Sequence, residues 1–200
     1  MEIAAKADDA IPNRVMAFGV DWVILSLLSA VIWFLFWMVR AVLAIGGAAS
    51  DGSVGTGLGV LAILLALVQW ALIGVALLAY FTLLQTRSGQ TLGMNLLDVK
   101  VVAADGSPVT RKQALVRNAV LIAPLPLMAV VSVFVPVIGF PLAFAMMVGW
   151  LLVELGAMFV LGDGQRIGDR LADTFVVEEA DLVTEEVTGT PNEATQPGDA

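Results

Sequence analysis

The chain of 200 residues contains no cysteine and no histidine, and only 14% of its residues are charged. The absence of cysteine excludes structural disulfides, thiolate nucleophiles and cysteine metal sites. The absence of histidine excludes histidine general bases, haem ligation and most transition-metal sites. Few hydrolytic mechanisms remain, so we predict a protein that is not an enzyme and that has no cofactor or metal. Soluble domains carry about 25% charged residues, so this chain has too little polar surface for a water-soluble globule.

Apolar residues are abundant instead, at 59% of the chain with a mean hydropathy of +0.92. A helix needs about 20 apolar residues to cross a hydrocarbon core of about 30 Å. Four stretches meet or approach that length: residues 15–39, 60–84, 119–135 and 142–161. The last two are separated because two prolines and a glycine between them cannot lie in one straight helix. The predicted fold class is an all-α membrane protein with four transmembrane helices.

The distribution of lysine and arginine predicts the orientation of these helices, since cytoplasmic loops carry an excess of both. With both termini inside, nine of the ten basic residues are cytoplasmic and only Arg40 is outside. We therefore expect a multi-pass protein of the cell membrane with both termini in the cytoplasm. The outer connection, residues 41–59, is rich in glycine and serine and is predicted to be a flexible link.

The cytoplasmic segment between spans two and three has its own local signals. Residues 99–102 have strand propensity, and residues 174–177, after the fourth span, are a second strand candidate. The two could pair into a small cytoplasmic sheet. Thr110 and Gln113 have the spacing of a capping box, which predicts that a helix begins there.

The last part of the chain differs in composition from the rest. From residue 178 onward there are seven acids and no base, and their removal leaves ten bases against 11 acids. Such a segment cannot bury enough apolar surface to fold. The sequence thus predicts a transmembrane domain over residues 1–177 and an acidic disordered cytoplasmic tail over residues 178–200.

Two acidic residues lie inside the predicted spans, where each costs about 2.5–3.5 kcal/mol on insertion scales. Asp21 and Glu154 fall at a similar depth from the cytoplasmic side. The candidate ion-binding or solute-binding residues are Asp21, Glu154, Arg14 and Asp169, and Arg117 and Arg170 extend them into an inner-face charge cluster. Two interpretations compete. The charges either neutralise one another and brace the helices, or the acids bind and release a proton or an alkali cation. Contacts of the cluster with lipid headgroups or with a partner remain open besides these.

The same residues resemble the RDD family of membrane proteins, which is named for one arginine and two aspartates. Arg14 and Asp21 are similar to the family's opening motif, and Asp169 falls at its second aspartate. Residues 88–93, 99–102, Asp105-Gly106 and Arg117-Asn118 resemble the family's central cytoplasmic signature. Residues 168–174 resemble its last signature motif. The sequence departs from the family at Met94, Gly168 and Asp173, where lysine, histidine and glycine are common.

The resemblance implies transport, including the cation/proton antiport suggested for some members. Our leading hypothesis is transport of a small solute or cation, coupled to protons through Asp21 and Glu154. Since four helices rarely enclose such a path alone, we expect a homo-oligomer in the lipid bilayer, with a small cation or proton as its ligand. The alternative is a non-transporting accessory or scaffold protein whose charge cluster braces the bundle. The sequence contains no basic patch with interleaved aromatic residues, so we do not expect it to bind nucleic acid.

Overall fold

A computed structural model describes residues 2–135, 138–161 and 163–182 of the chain. Its elements, in chain order, are α1 (Glu2–Asp9), α2 (Ile11–Ala48), α3 (Gly52–Ser88), α4 (Leu92–Leu96), β1 (Val99–Ala103), α5 (Arg111–Ile122), α6 (Leu125–Phe134), α7 (Gly139–Val160), α8 (Ile167–Ala172) and β2 (Thr174–Glu178). The described fold is thus mostly helical, with one small sheet of two strands.

Four helical segments are long and apolar enough to cross a membrane: Ile11–Ala48, Gly52–Ser88, Arg111–Phe134 and Pro141–Val160. Their outward faces leave large apolar side chains uncovered, such as Leu27 at 67% exposure and Phe144 at 62%. Contact of such an apolar surface with lipid is favourable, whereas its contact with water is unfavourable. The prediction of an all-α membrane protein with four spanning helices is confirmed, and the protein is a multi-pass membrane protein.

The third span consists of two helices, α5 and α6, because Pro124 interrupts it. Proline has no backbone N–H to continue the helical hydrogen bonds. The predicted separation of the third and fourth spans is confirmed, since α6 ends at Phe134 and α7 begins at Gly139. A Cβ atom on Gly139 would lie 2.5 Å from the carbonyl oxygen of Val131. Glycine therefore permits the close approach of α7 to α6.

The predicted flexible link between the first two spans is wrong in its extent. Helix α2 continues to Ala48 and α3 begins at Gly52, so only three residues connect them. A Cβ atom on Gly55 would lie 2.8 Å from the carbonyl oxygen of Ser50 and 3.0 Å from that of Gly47. The small residues of this segment bring two helices close together, as they do at membrane helix interfaces; they do not form a loop.

One end of the bundle gathers α1, α4, α8 and both strands, and we call it the polar end. β1 pairs antiparallel with β2, with Val101 opposite Val176, which confirms the predicted strand pair. The predicted capping box is also confirmed. Thr110 accepts a hydrogen bond from the backbone N–H of Gln113, whose side chain accepts one from the Thr110 N–H at 3.0 Å.

The predicted acidic tail begins at the last residue of β2, Glu178. Asn13 of α2 donates a hydrogen bond to the Glu178 carboxylate at 2.8 Å and so joins the strand to the bundle. Residues 183–200, which form most of the predicted tail, lie outside the described residues.

Candidate functional site

Asp169 lies at the centre of a buried cluster of charged side chains at the polar end. Its carboxylate forms a direct ion pair with Arg14 of α2, and its Oδ1 atom lies 3.1 Å from Nε of Arg117 of α5. Arg166, which precedes α8, places Nη2 3.6 Å from Oδ1, and its backbone N–H donates to Oδ2 at 3.0 Å. These side chains are at most 6% exposed. One carboxylate thus connects α2, α5 and the start of α8.

The electrostatics of this cluster favour an ionised Asp169. Burial alone would raise the pKa of the Asp169 carboxyl, but the charges of Arg117, Arg14 and Arg166 together outweigh burial and hold that pKa well below its usual value. The group is therefore negatively charged throughout the physiological range. Three guanidinium groups surround this single carboxylate, and Nη1 and Nη2 of Arg117 have no hydrogen-bond partner among the described residues.

Two glycines allow the backbone to approach the cluster closely. A Cβ atom on Gly168 would overlap the carbonyl group of Arg117, so no larger residue fits between α8 and α5 here. Gly164 has φ +60°, and a Cβ atom there would lie 2.6 Å from the carbonyl oxygen of Ala7. The carbonyl of Gly164 in turn accepts a hydrogen bond from Arg14. The departure from histidine at position 168 therefore accompanies tight packing of α8 against α5.

Asp21 is also buried, at 1% exposure, but its hydrogen-bond partners within the described part of the chain are neutral. The hydroxyl of Tyr80 in α3 donates to Oδ1 at 2.7 Å, and the backbone N–H of Gly93 in α4 donates to the same atom at 2.8 Å. The hydroxyl of Thr91 donates to Oδ2. A Cβ atom on Gly93 would overlap the carbonyl of Ala17. Asp21 thus holds α4 and the end of α3 against α2.

Glu154 differs from both aspartates because it is buried without hydrogen bonds. It lies in α7 at 1% exposure, and neither carboxylate oxygen has a hydrogen-bond partner within the part of the chain that the structure describes. Arg166 and Arg14 lie near enough to attract it electrostatically, and Asp169 repels it. The Gly168 N–H also lies nearby, although no hydrogen bond of normal geometry forms.

A small cavity lies between Asp21 and the arginines. Its volume is about 10 Å³, close to the least that holds one water molecule. Its polar lining comes from Arg14, Asp21, Gln85 and Arg166, and apolar side chains close the rest. The two halves of the site, around Asp21 and around Asp169, therefore face each other across a cavity about the size of one water molecule.

The structure brings four of the candidate residues, Arg14, Arg117, Glu154 and Asp169, into or beside the buried cluster. Asp21 lies across the small cavity from Arg14. Arg170 does not belong to the cluster, because it forms an exposed ion pair with Asp163.

Arg166 was not among the candidates, although it contacts Asp169 directly. Its spacing of three residues before Asp169 was the available signal, since such residues share a helix face. No group of three acidic side chains that could hold a metal ion occurs within residues 2–135, 138–161 and 163–182.

Comparison with known protein families gives a match to the RDD family over residues 10–174. The matched region includes all four spans, both aspartates and Arg14. Neither a search of curated proteins nor a search of solved structures finds a match. Because the family match covers most of the chain, the protein belongs to the RDD family.

Proposed function

We propose that this protein transports a small solute or cation across the cell membrane, coupled to protons, with Glu154 as the residue that binds the proton or cation. The observation that carries the proposal is that Glu154 is buried in a spanning helix without hydrogen bonds among the described residues. An ionised carboxylate at this depth is costly unless it is paired. A side chain in that condition is suited to binding a proton or a cation.

The two aspartates have other roles in this proposal. Asp21 accepts three hydrogen bonds from neutral donors, and Asp169 pairs with arginines from three parts of the chain. Both carboxylates have their partners already, so proton binding to either would cost the contacts that hold the polar end together. We assign them to positioning the helices, with Arg14 as the link between Asp169 and the small cavity.

Arg166 and Arg14 would couple the charge of Glu154 to this frame. When Glu154 is ionised, both guanidinium groups attract it. When it binds a proton, that attraction disappears and the arginines remain with Asp169 alone. The proposal places both termini in the cytoplasm, expects a homo-oligomer to complete the path, and assigns the chain no enzymatic reaction.

Ion flux into proteoliposomes with an internal pH dye tests the proposal, using pulses of Na⁺, K⁺ or Li⁺. Glu154→Gln should abolish the cation-dependent pH change while the protein stays monodisperse. Asp163→Asn is the matched control, because Asp163 is an exposed acid near the same end of α7 and should leave the flux unchanged. Flux that survives in Glu154→Gln would refute the assignment.

The alternative function, a non-transporting accessory or scaffold protein, is favoured by a different observation. The pairs of Asp169 with Arg14 and Arg117 tie α2, α5 and α8 into a rigid frame beside the small sheet. Such a frame suits the docking of another protein at the polar end. This alternative expects no flux from the folded wild type and stable co-purification of a partner.

A further inference from the structure

A large cavity lies between the spanning helices, lined by α2, α3, α5, α6 and α7, and its volume is about 570 Å³. This is within the range of about 300–1,000 Å³ that is typical of ligand sites. Apart from the hydroxyls of Ser26 and Ser29 and the indole N–H groups of three tryptophans, its lining is apolar. The cavity therefore fits an apolar ligand.

The cavity opens sideways and is closed toward the polar end. At its rim, Phe144 is 62% exposed and Val148 39% exposed, and these surfaces face the bilayer. Toward the polar end, Leu25, Phe81 and Leu121 pack together and are each at most 5% exposed. A ligand enters most directly from the lipid phase, where acyl chains are the abundant apolar molecules.

The length of the cavity matches the acyl chains of one leaflet. Trp22 and Trp33, both lining residues, are about 16 Å apart along α2 at 1.5 Å per residue. Half of the hydrocarbon core is about 15 Å thick.

A basic residue lies on the same face of α2, beyond the cavity. Positions 22, 26, 29 and 33 line the cavity, and Arg40 continues that face two turns after Trp33. Arg40 is about 39 Å from Arg14 along the helix, close to the thickness of about 40–45 Å of a bilayer with its headgroups. Arg40 lies at headgroup level on the side opposite the polar end.

The side chain of Arg40 has hydrogen-bond donors to spare. Its Nε atom contacts the carbonyl oxygen of Phe36 at 3.4 Å, and among the described residues it has no ion pair with a carboxylate. Arginine binds phosphate through two parallel N–H donors. Trp33 and Trp37 stack between the cavity and Arg40, and tryptophan is typical of the membrane interface.

We propose that the cavity binds one acyl chain of a phospholipid from the leaflet opposite the polar end, with the lipid phosphate on Arg40. The site goes beyond the proposed transport function and does not depend on it. An apolar cavity open to lipid supplies the chain site, and a half-buried arginine above it supplies the charge complement.

Binding of phosphatidylglycerol with brominated acyl chains to delipidated protein in detergent tests the site, because bromine quenches nearby tryptophan. We expect native mass spectrometry to show one retained lipid. We also expect quenching that Trp37→Phe preserves and that the combined Trp22→Phe, Trp33→Phe and Trp70→Phe variant largely removes, since these three tryptophans line the cavity and Trp37 does not.

Two pairs of variants separate the chain site from the phosphate site. Ser29→Phe fills the cavity and should weaken binding at least tenfold, whereas Leu27→Phe, on a 67% exposed position of the same helix, should not. Arg40→Gln should weaken phosphatidylglycerol about tenfold and leave diacylglycerol, which has no phosphate, unchanged. Arg87→Gln, at the other end of the bundle, is its control. Arg40 is peripheral, so Arg40→Gln stays informative if Ser29→Phe fails to fold.

Three outcomes would overturn the proposal. The first is equal binding by wild type and folded Ser29→Phe. The second is that Arg40→Gln weakens the binding of phosphatidylglycerol and diacylglycerol equally, or weakens the binding of neither. The third is occupation by a second copy of the chain. Because the chain has no cysteine, Ser29→Cys introduces a single thiol, and its efficient oxidation to a dimer in the membrane would reveal that occupant.

Discussion

Arg14 and Asp169 are 155 residues apart in the sequence and form a direct ion pair in the interior of the protein. The pair joins the first spanning helix to the short helix that follows the last one. Arg117 approaches the same carboxylate from the third span at 3.1 Å. In this chain Arg14 and Asp169 are therefore direct partners, whereas Asp21 is held by neutral donors.

Replacing Asp169 should destabilise the protein strongly. Asp169→Asn leaves three arginines around a neutral amide, and breaking a buried ion pair costs about 3–5 kcal/mol. For a chain of this length the loss corresponds to roughly 6–20 °C in Tm, measured in detergent by thermal unfolding. An unchanged Tm would contradict the bracing role of Asp169.

The same comparison has a defined pH dependence. The pKa of Asp169 in the folded protein lies below its usual value because the charges of the arginines outweigh the effect of burial. A carboxyl with a lowered folded pKa stabilises fully above its unfolded pKa of about 4 and loses that contribution as the pH falls further. The Tm difference between wild type and Asp169→Asn should stay constant from about pH 8 to 5 and shrink below about pH 4. A difference that grows in acid would have the wrong sign.

Gly93→Ala should loosen the attachment of α4 to α2. The added methyl group would overlap the carbonyl of Ala17 and displace the N–H that donates to Asp21, and such overpacking costs about 1–3 kcal/mol. Gly149→Ala is the matched control, because nothing lies within 4 Å of its Cβ position in α7. That variant should gain up to about 1 kcal/mol from helix propensity. Equal Tm values for the two variants would show that the close approach at Gly93 is unimportant.

Asp173→Gly should raise stability by about 1 kcal/mol, because Asp173 has φ +53° at the end of α8 and glycine adopts this left-handed conformation without strain. Asp173→Val should lower stability, since a β-branched residue is least tolerated there. Chemical unfolding of both variants measures the difference. A stabilised valine variant would show that the backbone does not retain this conformation.

Glu154→Gln should leave Tm unchanged within about 3 °C or raise it, in contrast to Asp169→Asn. The substitution removes a charge that has no hydrogen bond among the described residues and preserves the shape of the side chain. Thermal unfolding of the two variants side by side checks the contrast. A loss of stability as large as that of Asp169→Asn would assign Glu154 to the brace and weaken the transport proposal.

Those features of the fold that depend on local chemistry could be predicted from the sequence. The length of the apolar runs predicts the four spans, the prolines after Val135 predict the break before α7, and the spacing of Thr110 and Gln113 predicts a helix start. The glycines of residues 41–59 predict a loop but lie mostly in α2 and α3, because glycine both breaks helices and lets them pack closely. Only the neighbouring helix distinguishes the two uses.

The partners within the site could be predicted only in part. The depth of these charges near the inner face predicts that Arg14, Arg117 and Asp169 lie near one another. It does not predict which of their atoms are in contact. The choice between Arg166 and Arg170 depends on how the six-residue helix α8 lies against α5. Arg166 faces inward to Asp169, and Arg170 faces outward to Asp163. The donors to Asp21 from Tyr80 and Thr91 likewise depend on the packing of α3 and α4.

The ion pair between Arg14 and Asp169 also sets an order on biogenesis. Ribosomes add about 5–20 residues each second, so Arg14 is made roughly 8–30 s before the carboxylate that pairs with it 155 residues later. Arg117 is also synthesised before Asp169, the carboxylate with which it pairs. Nascent chains can insert their spans during this interval, but the end of the bundle that holds the arginines can pack only when α8 arrives. A chain that stops before Asp169 retains guanidinium groups without this partner and remains open to quality-control proteolysis.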